Sequence, residues 1–293
     1  MKFTKMHGLG NDYLYVYGEV PGNIKDLCRK LSDRHFGAGS DGMIYISPSD
    51  RADFKMRIFN SDGSEAKMCG NGIRCVGKYV YDKGYTDKTF LTIETLSGLK
   101  YLNLILGSGK VKAVSVDMGD DSADPEKFLN FSHEPMSEIC LDFLVQNGNR
   151  RLQLPYIPVN VGNPHAVIFV DDIHSVPLRS LGPVIEHHED FPEGVNVEFV
   201  QVLDRRKLRM RVWERGSGIT MACGTGACAS VCAAVQKGYC KFETPVSVIL
   251  DGGILEIERR NDGTVIMTGP ASFVYDAECP EEWIKEMNHA DTK

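Results

Sequence analysis

The chain has no run of about 18 apolar residues, the length a membrane-spanning helix needs. Its opening stretch, MKFTKMHGLGNDYLYV, lacks the continuous apolar core of a secretory leader. A cytoplasmic protein is therefore expected. A basic arm is missing as well: 33 Lys and Arg face 40 Asp and Glu, giving a net charge of -7 and a pI near 5.7. Nucleic acid and anionic membrane are held by clusters of Lys and Arg, so neither is expected as a partner. A small charged metabolite remains compatible, because binding sites are local. There is no low-complexity tract, and with 42% hydrophobic and 25% charged residues an ordinary core can form without disulfide or metal staples. Nor is there a Cys-x2-Cys pair, and the Cys69/Cys75 and Cys223/Cys228 spacings suit zinc poorly, so no metal site is expected. The nine cysteines read as thiols in a reducing compartment.

What the chain does contain is itself, twice. Slid by 154 residues, the segment Lys55–Gly72 falls over Arg209–Gly226, with Met56/Met210, Arg57/Arg211, Cys69/Cys223, Gly70/Gly224 and Gly72/Gly226 identical. Two weaker echoes keep the same order: Gly10-Asn11 with Gly162-Asn163, and Phe36–Asp41 with Phe191–Asn196. An internal duplication into two similar halves follows, related by an approximate two-fold axis.

Short β-branched or alternating runs predict strands at Phe54–Phe59, Phe90–Glu94, Val111–Val116, Ala166–Val170, Val197–Leu203, Leu208–Trp213, Val246–Leu250 and Ile254–Glu258. Asp251-Gly252 and Asp262-Gly263 read as hairpin turns. After each Cys-Gly-x-Gly a helix is expected, Ile73–Lys83 stopping at Gly84 and Ala227–Lys237 stopping at Gly238. The second is apolar all round, which marks a helix buried in its own domain. The fold class is thus α+β: two homologous domains, each a mixed, mostly antiparallel sheet wrapped barrel-like around a central helix. The expected division is 1–121, completed by 272–293, and 122–271, with the boundary in the polar stretch Asp120–Asn130 around Pro125.

A cysteine at a helix start has particular chemistry. The first turn leaves backbone N–H groups unpaired and carries partial positive charge. Glycines there let an anion such as a carboxylate approach the backbone. A thiol of ordinary pKa near 8.5 is expected to fall, to roughly 3.5–7.5, at such a place. One motif would suggest a nucleophile or redox thiol. Two, presented by duplicated halves to one cleft, suggest inversion of a stereocentre, which needs like groups as acid and base on opposite faces of a carbon. Cys75, Cys228 and Cys232 lie on the helices and read as small core residues.

At Met68-Cys-Gly-Asn-Gly-Ile-Arg-Cys75 and Ala222-Cys-Gly-Thr-Gly-Ala-Cys228 the sequence resembles the diaminopimelate epimerase family. The resemblance extends through His7–Asp12, Asp33–Gly42, Asn60–Glu65, Gly162–His165, Gly194–Asn196 and Trp213–Gly218. It implies interconversion of LL- and meso-2,6-diaminopimelate, no cofactor (neither pyridoxal phosphate nor metal), and a homodimer. It implies Cys69 and Cys223 as the acid/base pair, with His165 and Glu214 helping to deprotonate them. The reacting carboxylate would sit on Gly70-Asn71 and Gly224-Thr225. The distal end would meet Arg215, a bidentate carboxylate ligand, with Glu214, Asn11, Asn60, Asn163 and Asn196. Two departures stand out: Gly42, where some relatives carry Gln, and Ile219, in place of a common acidic residue.

Two other classes stay open at this point. A proline- or histidine-type racemase would share the two-cysteine plan, although proline-type enzymes usually have His where Asn71 stands. A cysteine-based redox or metal-binding protein is the reading from a different class.

Overall fold

The computed structural model describes residues 1–120, 137–145 and 148–280. The chain divides into two compact units, one of Met1–Asp117 with the segment from Thr268, the other Met118–Met267. Residues 121–130 of the expected boundary stretch and 281–293 of the expected C-terminal segment lie outside the described residues.

The first unit contains β1 (Lys2–Gly8), β2 (Asn11–Tyr17), α1 (Ile24–Ser32), β3 (Gly42–Ser47), β4 (Phe54–Asn60), β5 (Glu65–Ala66), α2 (Gly70–Asp82), β6 (Phe90–Thr95), β7 (Gly98–Gly107) and β8 (Lys110–Asp120). The second contains β9 (Ser137–Val145), β10 (Gly148–Asn160), β11 (Pro164–Phe169), α3 (Leu178–Glu186), β12 (Asn196–Asp204), β13 (Lys207–Glu214), β14 (Gly218–Ile219), α4 (Gly224–Gln236), β15 (Val246–Leu250), β16 (Gly253–Arg259) and β17 (Thr264–Gly269). The strand β18 (Ser272–Glu278) returns to the first unit and pairs antiparallel with β1.

The two units repeat one pairing pattern. In the first, β2 runs parallel to β3, β3 antiparallel to β4, β4 parallel to β6 and β6 antiparallel to β7. In the second, β11, β12, β13, β15 and β16 follow the same sequence of directions. Register repeats too: Met43 faces Phe59 across β3 and β4, and Val197 faces Trp213 across β12 and β13. Each mixed sheet packs on a helix of its own, α2 against β1, β2 and β7, and α4 against β10, β11, β12, β13, β15 and β16. The chain is α+β.

All eight expected strands are present, their ends displaced by a residue or two in most cases, as strand ends usually are. Asp251-Gly252 makes the two-residue connection between β15 and β16, where Leu250 faces Gly253. The helices start earlier than expected, at Gly70 and Gly224 in place of Ile73 and Ala227. The reason is local: the motif's glycines form the first helical turn, and the cysteine is the residue that caps it. Both helices are followed by a glycine in the left-handed region, Gly84 at φ 79 and Gly238 at φ 73, which ends them as anticipated. Most of α4 is buried on every side, from Gly226 to Val235, in keeping with its apolar sequence.

Candidate active site

Both thiols cap a helix. Cys69 has an extended backbone, φ -140 and ψ 116, and its Sγ accepts the Gly72 N–H at 3.3 Å. Cys223 repeats this with φ -112 and ψ 113, accepting the Gly226 N–H at 3.3 Å. An N–H aimed at sulfur, at the positive end of a helix, favours the thiolate. Each thiol also meets an acceptor, which favours the protonated form, and here the units diverge.

In the first unit the Cys69 thiol donates to Asn11 Oδ1 at 3.3 Å. Asp41 turns Asn11 that way, because its Oδ2 takes Asn11 Nδ2 at 2.8 Å and the Asp12 N–H at 3.0 Å. Arg34 Nη2 bridges Asp41 and Asp12 at 2.8 and 2.9 Å, and Lys5 Nζ pairs with Asp12 at 2.8 Å. Burial works against the Asp12 charge, but Arg34 and Lys5 outweigh it and hold the carboxyl below its usual range. Tyr13 lies beside Asn11 and Cys69, and burial, then the Cys69 charge, push its phenol well up. Asn60, ending β4, donates to Ser64 Oγ at 3.1 Å. Behind the thiol, Arg74 is fully buried and donates to Gly70 O at 3.1 Å, to Asn71 Oδ1 at 3.0 Å and to Pro270 O at 3.2 Å. The guanidinium thus braces the first turn of α2 from within.

In the second unit the acceptor is a carboxylate. Glu214, ending β13, takes a hydrogen bond from the Cys223 thiol, and the Thr220 hydroxyl donates to its Oε1. Burial raises the Glu214 carboxyl; Thr220 opposes this, and the Glu198 charge adds to it. Burial also raises the Cys223 thiol well above its usual value, reinforced by the charges of Glu214 and Glu198. Thr225 and the Gly226 N–H pull the other way and lose. The drop in thiol pKa anticipated from a helix N-terminus is therefore overturned at Cys223, because burial and two carboxylates outweigh the Thr225 hydroxyl and one N–H.

His165, fully buried, lies with Nδ1 2.7 Å from Glu198 Oε1 and Nε2 3.0 Å from Asn163 Oδ1. Asn163 Nδ2 donates to Thr225 Oγ1 at 3.3 Å, and that hydroxyl stands 3.5 Å from Cys223 Sγ. A chain of polar groups thus leads from Cys223 to Glu198. Asn196 is spent on the scaffold: its Oδ1 accepts the Arg215 N–H at 3.0 Å and its Nδ2 donates to Pro164 O at 2.9 Å. Arg215 is exposed, with Nη1 donating to Glu193 O at 3.1 Å. Gly224 and Thr225 open α4, as Gly70 and Asn71 open α2.

The repeated registers put these residues in pairs. Tyr13 faces Gly42 across β2 and β3 as His165 faces Asn196 across β11 and β12. Tyr15 faces Ile44 as Val167 faces Glu198, so Ile44 and Glu198 occupy the same place. Asn60 and Glu214 end matching strands. Hence the second unit carries His165, Glu198 and Glu214 where the first carries Tyr13, Ile44 and Asn60. Sequence reasoning missed Glu198, and gave no role to Tyr13, Asp41 or Arg74. The departure at Gly42 has a steric cause: a Cβ there would lie 2.1 Å from Phe59 O, so this backbone path has no room for a glutamine.

Among the described residues no three His, Cys, Asp or Glu side chains come together to hold a metal ion, and no helix is long and apolar enough to cross a membrane. Cys69 is part-exposed while Cys223 is 5% exposed. Iodoacetamide is therefore expected to modify Cys69 first, with Cys223 following more slowly because its thiol is both buried and held protonated. Peptide mass spectrometry over a time course checks the order, and Cys223 reacting first would contradict it.

The sequence profile of the family described as Diaminopimelate epimerase matches residues 3–123 and 157–274. A diaminopimelate epimerase of Acetivibrio thermocellus is 50% identical over 281 residues, covering 95% of this chain and 98% of its own. Proteins of the same name from Phocaeicola vulgatus and Methanococcus maripaludis are 51% and 48% identical, each over 95% of this chain and 98% and 99% of their own. Among solved structures, a probable proline racemase from Agrobacterium radiobacter K84 shares the fold, with a TM-score of 0.66 at 18% identity, over 95% of this chain and 92% of its own. Over most of its length, and through both Cys-Gly-x-Gly turns, the chain belongs to the diaminopimelate epimerase family.

Proposed function

We propose that the protein interconverts LL- and meso-2,6-diaminopimelate by moving the α-proton between two cysteines, Cys69 on one face of the carbon and Cys223 on the other. The observation that carries this reading is that each thiol, at a helix start, has both a backbone N–H for its thiolate and an acceptor for its protonated form. A group so placed can act as base in one direction and acid in the other, which reversible inversion requires. The halves 1–121, with 272–293, and 122–271 would then each contribute one thiol.

Within the same reading, His165 and Glu214 help to deprotonate the thiols, Glu214 exchanging a proton with Cys223, to which it is hydrogen-bonded. The substrate carboxylate rests on the N–H groups opening α2 and α4, which stabilise charge as the proton leaves. Arg215 takes the distal carboxylate, aided by the side chains of Asn11, Asn60 and Asn163. Asn196 contributes by holding the Arg215 backbone. Closure over the substrate excludes water during proton transfer at carbon. The reading needs neither pyridoxal phosphate nor metal, and it includes a homodimer in the cytoplasm, where thiols stay reduced.

The test is turnover of LL-diaminopimelate by the purified protein, free of pyridoxal phosphate and with a chelator present. Arg215→Ala is expected to lower kcat/KM for this substrate by about 10- to 100-fold, the cost of a lost charged hydrogen bond. No turnover, or unchanged kinetics in Arg215→Ala, would redirect the assignment to an amino acid without a second charged end.

A further inference from the structure

Glu198 has no assigned role, yet its surroundings are unusual. Its side chain is fully buried, Oε1 lies 2.7 Å from His165 Nδ1, and Oε2 has no hydrogen-bond partner among the described residues. A half-satisfied carboxylate in the interior is costly and persists where a neighbouring charge compensates it. The carboxylate packs against the first turn of α4, and a Cβ on Gly226 would lie 2.7 Å from Oε1. The second glycine of the Cys-Gly-x-Gly motif thus leaves the space in which Glu198 sits, at the positive end of the helix. In the first unit the same crevice, beside Gly72, holds the apolar Ile44, whose Cδ1 would be 2.7 Å from a Cβ there. Carboxylate and imidazole have therefore appeared together in one copy of a duplicated frame, replacing Ile44 and Tyr13.

His165 lies between two oxygens, Glu198 Oε1 and Asn163 Oδ1. The Asn163 amide nitrogen is turned to Thr225, which keeps its oxygen toward the ring. Only the imidazolium can donate from both ring nitrogens. We infer that Glu198 is a positioning residue for the reaction: it holds His165 as the imidazolium, and so keeps on Nε2 a proton that the ring returns to a cysteine thiolate once that cysteine has given its own proton to the substrate. The step balances simply. The Nε2–H bond breaks and leaves its electron pair on the ring, the proton joins the thiolate sulfur to form S–H, and the Glu198 carboxylate stays ionised against Nδ1–H. This rests on the reading above, in which His165 serves a thiol.

The experiment uses the full-length protein, LL-diaminopimelate and three measurements: kcat, KM and the 15N resonances of the His165 ring. The wild-type ring is expected to show the imidazolium pattern near neutral pH, with both nitrogens protonated. Glu198→Gln is expected to lower kcat by about 100-fold or more, to leave KM within about threefold, and to convert the ring to the neutral pattern. Should the Gln variant fail to fold, Glu198→Ile, carrying the residue that fills the duplicate crevice, is read by the same criteria. A neutral ring in the wild type, or a Glu198 variant with wild-type kcat, overturns the inference while His165→Gln still loses turnover. Wild-type turnover in His165→Gln would remove the role of His165 itself, and this inference with it.

Discussion

Cys69→Ala and Cys223→Ala are each expected to lose epimerisation by about 10³-fold or more, in both directions, because under the proposed mechanism each removes the group that handles the proton on one face of the carbon. Alanine also removes the sulfur that caps the helix, a loss of about 1 kcal/mol that a folded domain tolerates. Serine separates the two effects. Cys69→Ser and Cys223→Ser keep an acceptor for the Gly72 or Gly226 N–H, so thermal stability should stay near that of the parent, while a hydroxyl is far too weak an acid to replace the thiol. Initial rates from LL- and from meso-diaminopimelate, with melting curves beside them, are the measurements. A serine variant retaining a tenth of the activity in either direction would remove that cysteine from the mechanism.

Glu214→Gln is expected to push two observables in opposite directions. Turnover should fall by about 100-fold or more, since under the proposed mechanism the group that exchanges a proton with Cys223 is gone. The Cys223 thiol, by contrast, should become more reactive. Burial is the main cause of its raised pKa, but the Glu214 charge comes next, and glutamine removes that charge while keeping an acceptor for Thr220. A less raised pKa means more thiolate at any given pH below it, hence faster alkylation. Iodoacetamide kinetics at Cys223, read by peptide mass spectrometry near pH 8, test the sign. Slower alkylation in the variant would mean that the Glu214 charge does not raise the Cys223 thiol.

Much of this was legible in the sequence because duplication amplifies weak signals. One Cys-Gly-x-Gly says little; the same turn 154 residues later, before a second helix, defines both thiols and the central helices of both units. The strands that alternate, such as β4 and β13, were equally plain. Among those missed, β2 and β3 do not alternate, since Asp12–Val16 and Gly42–Ile46 are buried on consecutive residues, whereas β17 alternates and was passed over. The helix α1 is amphipathic, burying Ile24, Leu27, Cys28 and Leu31, but at nine residues it gives a short pattern. Glu198 was missed for a physical reason. A glutamate within Asn-Val-Glu-Phe-Val reads as the solvent-facing member of an alternating strand. The available signal was its alignment with Ile44, a position where the other copy buries an apolar side chain. Arg74 hid similarly, since a cation at a helix start is ordinarily surface, and only the packing puts it behind the first turn of α2. The low thiol pKa expected from helix position alone failed at Cys223 because burial, and then carboxylates that come from β12 and β13, reverse it.

The central claim is that two different thiols handle the proton, and isotope transfer tests it most directly. The wild-type protein is incubated with LL-diaminopimelate in D₂O, and the α-positions of substrate and product are followed by NMR from the earliest turnovers. With one cysteine removing the proton and another delivering a deuteron, each newly formed meso molecule carries deuterium at the inverted centre, while the remaining LL substrate keeps its protium. Product that retains the substrate's own proton, or substrate that exchanges as fast as product appears, would mean that a single group works on both faces.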